Sequence, residues 1–412
     1  MSTKPKKGGR GDGIPQETII KWIFDGVKGG VIVGGFSLDK EKKYKFLEDK
    51  EQNYNKSSII KAIKRTLKDE HIIQINWGIE LASEMYANIN KLPKLEEALR
   101  KHFRLRKCSV FDIVGDSDLV HKTLGIIASS DITEDLKHNL KYIKTISLGS
   151  GRAVFYAVQG ISKSRKEFND IKNEDLKLVS LLGWHRVSDY TNQINSLMDA
   201  DLNVNYLAGA FSTKPLFEMV YHPICVEENR IEGVLENLFF PKATKFDICV
   251  LGVGVLSEGH NFFKRIKEEK VDEFYPIFAH LKILVDFCKD IENEAKAMRK
   301  EYVPIGDICN RLFFVPPPTS LSKKIKDKIG KKQVEIEQCI ENVNKLLVAV
   351  TEEQLKKAKS IYLIAGTGKK GFAIKKCIDK YRENIELLCI DKEAALVIAE
   401  EEGIDVSEFL KT

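Results

Sequence analysis

No apolar stretch in the chain approaches the ~20 residues that a membrane span requires. The opening MSTKPKKGGRGDG is basic and glycine-rich with no apolar core behind it, so no secretory leader is expected either. There is no CxxC pair, and the histidines are isolated and the acids without ligand spacing, which leaves no metal centre and no cofactor signature to expect. The eight cysteines (Cys108, Cys225, Cys249, Cys288, Cys309, Cys339, Cys377 and Cys389) are scattered, mostly inside apolar runs, the pattern of reduced buried thiols rather than of a disulfide framework. Charge of one sign is also lacking: +6 over 412 residues implies no nucleic-acid partner by itself, so the question is whether the positive charge is clustered. A cytoplasmic protein is expected from these absences.

At 412 residues, two or three units are expected, and 43% apolar with 31% charged residues is the composition of a soluble globular chain. Residues 1–13 read as a disordered basic tail. Residues 14–78 read as a small helical domain, with one helix from Pro15 to Asp25 that stops at the glycines of GVKGGVIVGG. Within KSSIIKAIKRTLKDEHIIQI, Ser57 or Ser58 caps a helix whose apolar face is Ile59, Ile60, Ile63 and Leu67. Its other face carries Lys61, Lys64, Arg65 and Lys68, with Lys56 just before it and no acid until Asp69. This is where the positive charge clusters. Lys56, Ser57, Ser58, Lys61, Lys64, Arg65 and Lys68 are the candidate DNA contacts, although the same pattern also describes a solvated surface helix. Residues 79–106 form a helical linker with a short helix started by Pro93.

From residue 107 the text alternates between strand and helix. A β-rich run covers Lys107 to Val114, followed by a helix near 132–142, strand 143–148, helix 151–161, strand 177–182, helix 190–201 and strand 203–207. After FDICVLGVG at 246–254, helix-rich charged insertions occupy 264–301 and 316–345; then come strand 359–364, helix 371–381, strand 385–390 and a closing helix from Lys392 to Glu401. The rhythm predicts an α/β fold with a doubly wound, mostly parallel, Rossmann-like sheet over 107–412. Four apolar runs end in glycine-punctuated loops: SLGSGRAV at 147–154, VSLLGWHR at 179–186, CVLGVGVLSEG at 249–259 and YLIAGTGKK at 362–370. In a parallel sheet such loops share one rim, and two of them open helices whose N-terminal amides attract anions.

The same residues resemble, in order, the effector-binding domain of the SorC-type sugar-responsive transcription regulators, whose fold is shared with glucosamine-6-phosphate deaminase and ribose-5-phosphate isomerase. LGSGRAV is similar to that family's Gly-Trp-Gly-Arg-Thr loop, VSLLG to its next strand and Gly-Gly turn, and FDICVLGVG to its Asp-x-x-x-x-Gly-x-Gly segment. GDICNRLF at 306–313 is similar to its Gly-Asp-Ile-Cys-Gly-Arg-Phe, IAGTGKKGFAI to its Ala-Gly-Gly-x-x-Lys-x-x-Ala-Ile, and LLCIDKEAAL to its terminal strand. The resemblance implies a helix-turn-helix that binds operator DNA, a phosphorylated sugar or similar small anion as effector, a dimer or tetramer, and no catalysis. The matched loops make candidate ligand contacts of Gly149, Ser150, Gly151, Arg152, Ala153, Gly183, Gly252, Gly254, Asp307, Gly366 and Lys370, to which position adds His185 and Arg186, at a strand end on the lip of the sheet, and Lys369, beside Lys370.

Each of these has a plainer reading. GSGR can be a strand-to-helix turn with a surface arginine, Asp307 a turn cap, His185 a structural histidine, and Trp184 either a stacking platform or a plug. The chain departs from the family at Ser150, Ala153, Trp184 and Thr367, and GVKGGVIVGGFSLDKEKK separates its first two helices more than a compact helix-turn-helix needs. Two alternatives stand beside the regulator: an isomerase- or deaminase-like enzyme using Glu258, Asp307 and His185, and a metabolite sensor that acts on a protein partner without DNA.

Overall fold

Six strands, all parallel, form the main sheet of the computed structural model, in the order β1-β9-β8-β4-β2-β3. The structure describes residues 91–113, 115–164, 168, 173, 175–182, 200–211, 245–257 and 275–406. The tail, the helix-turn-helix-like segment with its candidate DNA contacts, and Gly183, Trp184, His185, Arg186 and Glu258 lie outside these residues. The sheet strands are β1 (Lys107–Phe111), β2 (Thr145–Leu148), β3 (Lys177–Ser180), β4 (Ile248–Leu251), β8 (Ser360–Ile364) and β9 (Ile385–Asp391). They are short apolar runs because both of their faces are buried. Side chains alternate between two cores: Ile361 and Leu363 enter one with Cys249, Leu388 and Ile390, while Tyr362 and Ile364 enter the other with Val250, Leu387 and Cys389.

Helices cover both faces. On one lie α2 (Ser117–Asn139), α3 (Arg152–Lys163) and α4 (Ala200–Phe211); the other core takes in α1 (Pro93–Phe103), α5 (Tyr275–Ala297), α6 (Lys323–Leu346), a short α7 (Glu352–Lys356), α8 (Gly371–Tyr381) and α9 (Lys392–Glu401). The doubly wound α/β fold is therefore present, with boundaries at 360–364, 371–381 and 392–401 close to those the text predicts. In the two stretches that read as insertions, 264–301 and 316–345, lie the long helices α5 and, to within one residue, α6.

Three features differ from the sequence expectation. Residues 203–207 form no strand; they lie in α4, where Asn203, Val204, Leu207 and Ala208 recur at helical spacing against α3 and β3. The predicted helix at 190–201 is described only at its last two residues, which open α4. Helix α2 begins at Ser117, well before 132, and it buries Val120, Thr123, Leu124, Gly125, Ile127 and Ala128. It sits between the sheet and α3, so it carries no one-sided apolar stripe to read. The third is a second sheet, antiparallel, of β5 (Gly254–Val255), β6 (Ile305–Ile308) and β7 (Arg311–Phe314). Its hairpin turns at Cys309 (φ 51°) and Asn310 (φ 62°), both left-handed as a two-residue type I′ turn requires.

All described cysteines are free and buried, and burial pushes their thiols above the ordinary range. Helices α2 and α3 touch backbone to backbone at Gly125, where a Cβ would press on the Ala153 carbonyl and lie 2.8 Å from Tyr156 Cβ. Gly125→Ala is therefore expected to lower unfolding free energy by about 2 kcal/mol in urea titration. Gly209→Ala, on α4 where nothing lies near the added carbon, should raise it by about 0.5–1 kcal/mol.

Candidate functional site

Because every strand of the main sheet points the same way, the loops after β2, β4 and β8 are neighbours on one rim, at the place where the chain turns from β3 on one side of β2 to β4 on the other. Gly252 marks their convergence: a Cβ there would lie 3.5 Å from the Ser150 carbonyl, 3.7 Å from the Ile364 carbonyl and 3.6 Å from Val154. The Gly149 amide is consumed by the Val250 carbonyl (2.9 Å), which ties the loop after β2 to β4. Gly151 then takes φ 108° as the cap of α3 and makes no side-chain cap bond. Only glycine tolerates this angle without strain. The first helical bond runs from the Phe155 amide to the Gly151 carbonyl, so the amides of Arg152, Ala153 and Val154 precede the intrahelical ladder at the rim end of α3.

Two cations stand over this helix start. The guanidinium of Arg152, one-third exposed, is paired with the carboxylate of Asp118 at the beginning of α2. Lys370 donates from Nζ to Nε2 of His121, also on α2, at 2.7 Å. Burial lowers the Lys370 ammonium to about 8, against the opposing pull of Asp307 and Asp391. The same burial, with the lysine charge beside it, lowers His121 to about 3, so the imidazole is neutral and accepts. Its Nδ1 is buried, short of a full hydrogen bond to the Ser117 backbone. Lys370 thus carries its charge against a neutral partner.

The loop that presents Lys370 is fixed from β9. Asp391, buried at the strand end, accepts from the Thr367 amide at 2.8 Å and caps α9 through the Ala394 amide at 3.3 Å. Burial raises its carboxyl to about 6. Gly366 lies so close to Leu124 and Val120 that a Cβ would fall 2.6 and 2.8 Å from them. Thr367 has φ 83° and ψ 137°, a glycine-favoured conformation held by a β-branched residue. Asp307, buried on β6, pairs in register with Gly254 on β5, which brings the second sheet to the same rim.

The structure thus gathers Gly149, Ser150, Gly151, Arg152, Ala153, Gly252, Gly254, Asp307, Gly366 and Lys370. Lys369 is engaged elsewhere, with Glu292 of α5 at 2.7 Å. Four residues were not visible as site residues in the text. Asp391 had a signal, an aspartate at a strand end just before a helix. Asp118 and His121 had none, because only packing carries the start of α2 to the rim. Asn203 of α4 is fully buried, donates to the Gly149 carbonyl at 3.2 Å and keeps its Oδ1 without a partner. Among the described residues no group of His, Cys, Asp or Glu is placed to hold a metal ion, and no helix is long and apolar enough to cross a membrane.

No family model and no curated protein matches the chain. Among solved structures, it is similar to the full-length sorbitol operon regulator SorC from Klebsiella pneumoniae, at 14% identity and TM-score 0.47 over 93% of this chain and 98% of that one. It is also similar to a DeoR family transcriptional regulator from Listeria monocytogenes, at 17% identity and TM-score 0.46 over 74% of this chain and 98% of that one. A transcriptional regulator from Streptococcus pneumoniae TIGR4 overlaps at 15% identity and TM-score 0.47, over 75% and 97%. Identities and scores this low assign no residue roles here.

Two outcomes follow from the geometry. Thr367→Gly should raise stability by about 1 kcal/mol by removing the strained angle, read from the shift of the urea midpoint. Below pH 8 the folded chain holds a buried ammonium, and between about 8 and the ordinary lysine value of 10.5 the unfolded state binds more protons than the folded one. Stability of the unliganded chain should therefore gain a rising contribution over that window, which Lys370→Met removes.

Proposed function

We propose that this chain is a metabolite-responsive transcription regulator of the SorC type: the rim binds a phosphorylated sugar or a related small anion, and the N-terminal basic helix contacts operator DNA. What supports the ligand half is one juxtaposition, a glycine-capped helix start whose first amides have no partner among the described residues, beside the buried ammonium of Lys370. Such a cluster stabilises a doubly charged phosphate through backbone donors and a cation together. Asp307, near enough to pull on the lysine charge, supplies an acceptor for sugar hydroxyls. The DNA half is supported by the sequence alone, through the cluster Lys61, Lys64, Arg65 and Lys68.

Regulation then requires that the ligand bind one arrangement of a dimer or tetramer better than another. Within the cleft, an incoming phosphate competes with Asp118 for Arg152 but replaces only an imidazole at Lys370. The lysine therefore gains more from the ligand than the arginine does.

The test has two arms. In thermal melts with a panel of sugar phosphates, one ligand should raise the midpoint with saturation. Arg152→Ala should weaken that ligand roughly tenfold and Lys370→Met more, while gel shifts on DNA from upstream of the chain's own gene stay unchanged. Combined alanine substitution of Lys61, Lys64 and Arg65 should do the reverse, and DNA binding should fall steeply with salt. Ligand affinity should also decline as pH rises through about 8, where Lys370 loses its proton. Steady turnover of a sugar phosphate with no DNA binding would replace this function by the enzymatic one.

A further inference from the structure

Helix α6 has a second face that neither fold nor cleft uses. Its inner stripe, Ile325, Ile329, Ile336, Ile340 and Val343, packs toward α5 and β7. Half a turn away runs a stripe of Lys323, Asp327, Gly330, Val334 and Glu341, all exposed. Val334 is 80% exposed, the most exposed large apolar side chain among the described residues, and nothing lies near the position of a Cβ on Gly330.

The charge on this helix is split at the same place. Residues 323–332 contain six lysines and one acid, Asp327, whereas 333–341 contain Glu335, Glu337 and Glu341 and no base. Lysines at the start and glutamates toward the end run against the helix macrodipole, so the distribution disfavours the helix standing alone. A second copy of the same helix, laid antiparallel, reverses that cost: the basic half of each meets the acidic half of the other, and the two dipoles oppose.

We propose that α6 is a self-association surface on which two copies of this chain pack antiparallel about a twofold axis near residue 332. In that register Val334 of each copy fills the space left by Gly330 of the other, and Lys323 of each faces Glu341 of the other. Asp327 opposes Glu337, with Lys331 one turn from Asp327 on the same helix. Within one chain Glu341 bonds Lys345 at 2.9 Å, an exposed pair that is exchanged at little cost. A single pair of 24-residue helices, about 36 Å long, buries less than the ~1,200 Å² of a standard stable interface, so the association is weak and, resting on charge pairs, sensitive to salt.

Sedimentation of the full chain over a concentration series, at low and high salt and without effector, tests this. Mass should double with concentration at low salt, or, where another contact already pairs the chains, pass from two copies to four. Lys323→Glu and Glu341→Lys should each raise the dissociation constant about tenfold or more by setting like charges opposite, and Val334→Asp further still. The Lys323→Glu, Glu341→Lys double variant should return to near the parent value, which a folding defect in either single variant would not allow. A mass that is independent of concentration, single variants equal to the parent, or a double variant as weak as the singles each overturns the proposal. So does a change in DNA retention by these variants with no change in mass, which would make the lysines a nucleic-acid contact instead.

Discussion

One buried carboxylate holds the site in shape. Asp391, at the end of β9, accepts from the amide of Thr367 and from the first turn of α9, so the loop after β8 and the helix after β9 are fastened to the same oxygen. That bond keeps Thr367 in a conformation which costs about 1–3 kcal/mol for a residue with a branched Cβ. Gly366 lets the loop lie directly on Val120 and Leu124 of α2. Without the carboxylate the loop has no reason to keep the angle that carries Lys370 to His121. The second sheet, the helix start at Gly151 and the close α2–α3 contact then only need to meet a lysine whose place is already set.

The electrostatics of the rim are uneven, and the unevenness is informative. Arg152 has a carboxylate partner, Asp118, itself largely exposed at 64%. Lys370 has an imidazole that burial keeps neutral. A buried ammonium hydrogen-bonded to a neutral group is satisfied in geometry but not in charge, and the carboxylates of Asp307 and Asp391 offset its desolvation only in part. Such a cation gains more from an anion than one already paired. The glycines around it allow backbone donors to approach without the steric cost that side chains would add.

The parallel sheet was readable because buried strands are short, apolar and bounded by glycine: Ile248–Leu251 and Ser360–Ile364 announce themselves. Helices with one buried face, such as Gly371–Tyr381, were readable for the same reason. Helix α2 was not, since residues such as Thr123, Gly125 and Ser129 are buried between sheet and α3 and break any stripe. Residues 203–207 look β-rich because Val204, Tyr206 and Leu207 crowd together, and only packing against α3 makes them helical. Of the site, the glycine loops and Lys370 were legible as local motifs. Asp118, His121 and Asn203 became site residues through contacts far along the chain, which no local pattern encodes.

The antiparallel sheet ties the long helix α6 to the rim. Asp307 stands on β6, and its hairpin partner β7 begins with Arg311, whose guanidinium donates to the carbonyls of Ala349, Asn344 and Val350 just at and beyond the end of α6. Asn344 adds a two-way bond with the backbone of Leu312, its side chain accepting at 2.9 Å and donating at 2.8 Å. Asp307 pairs in register with Leu312, so its carboxylate stands at the same end of the hairpin that is bonded to the long helix. The carboxylate at the rim is thus one strand away from the end of α6, and the bonds of Arg311 and Asn344 fix that spacing.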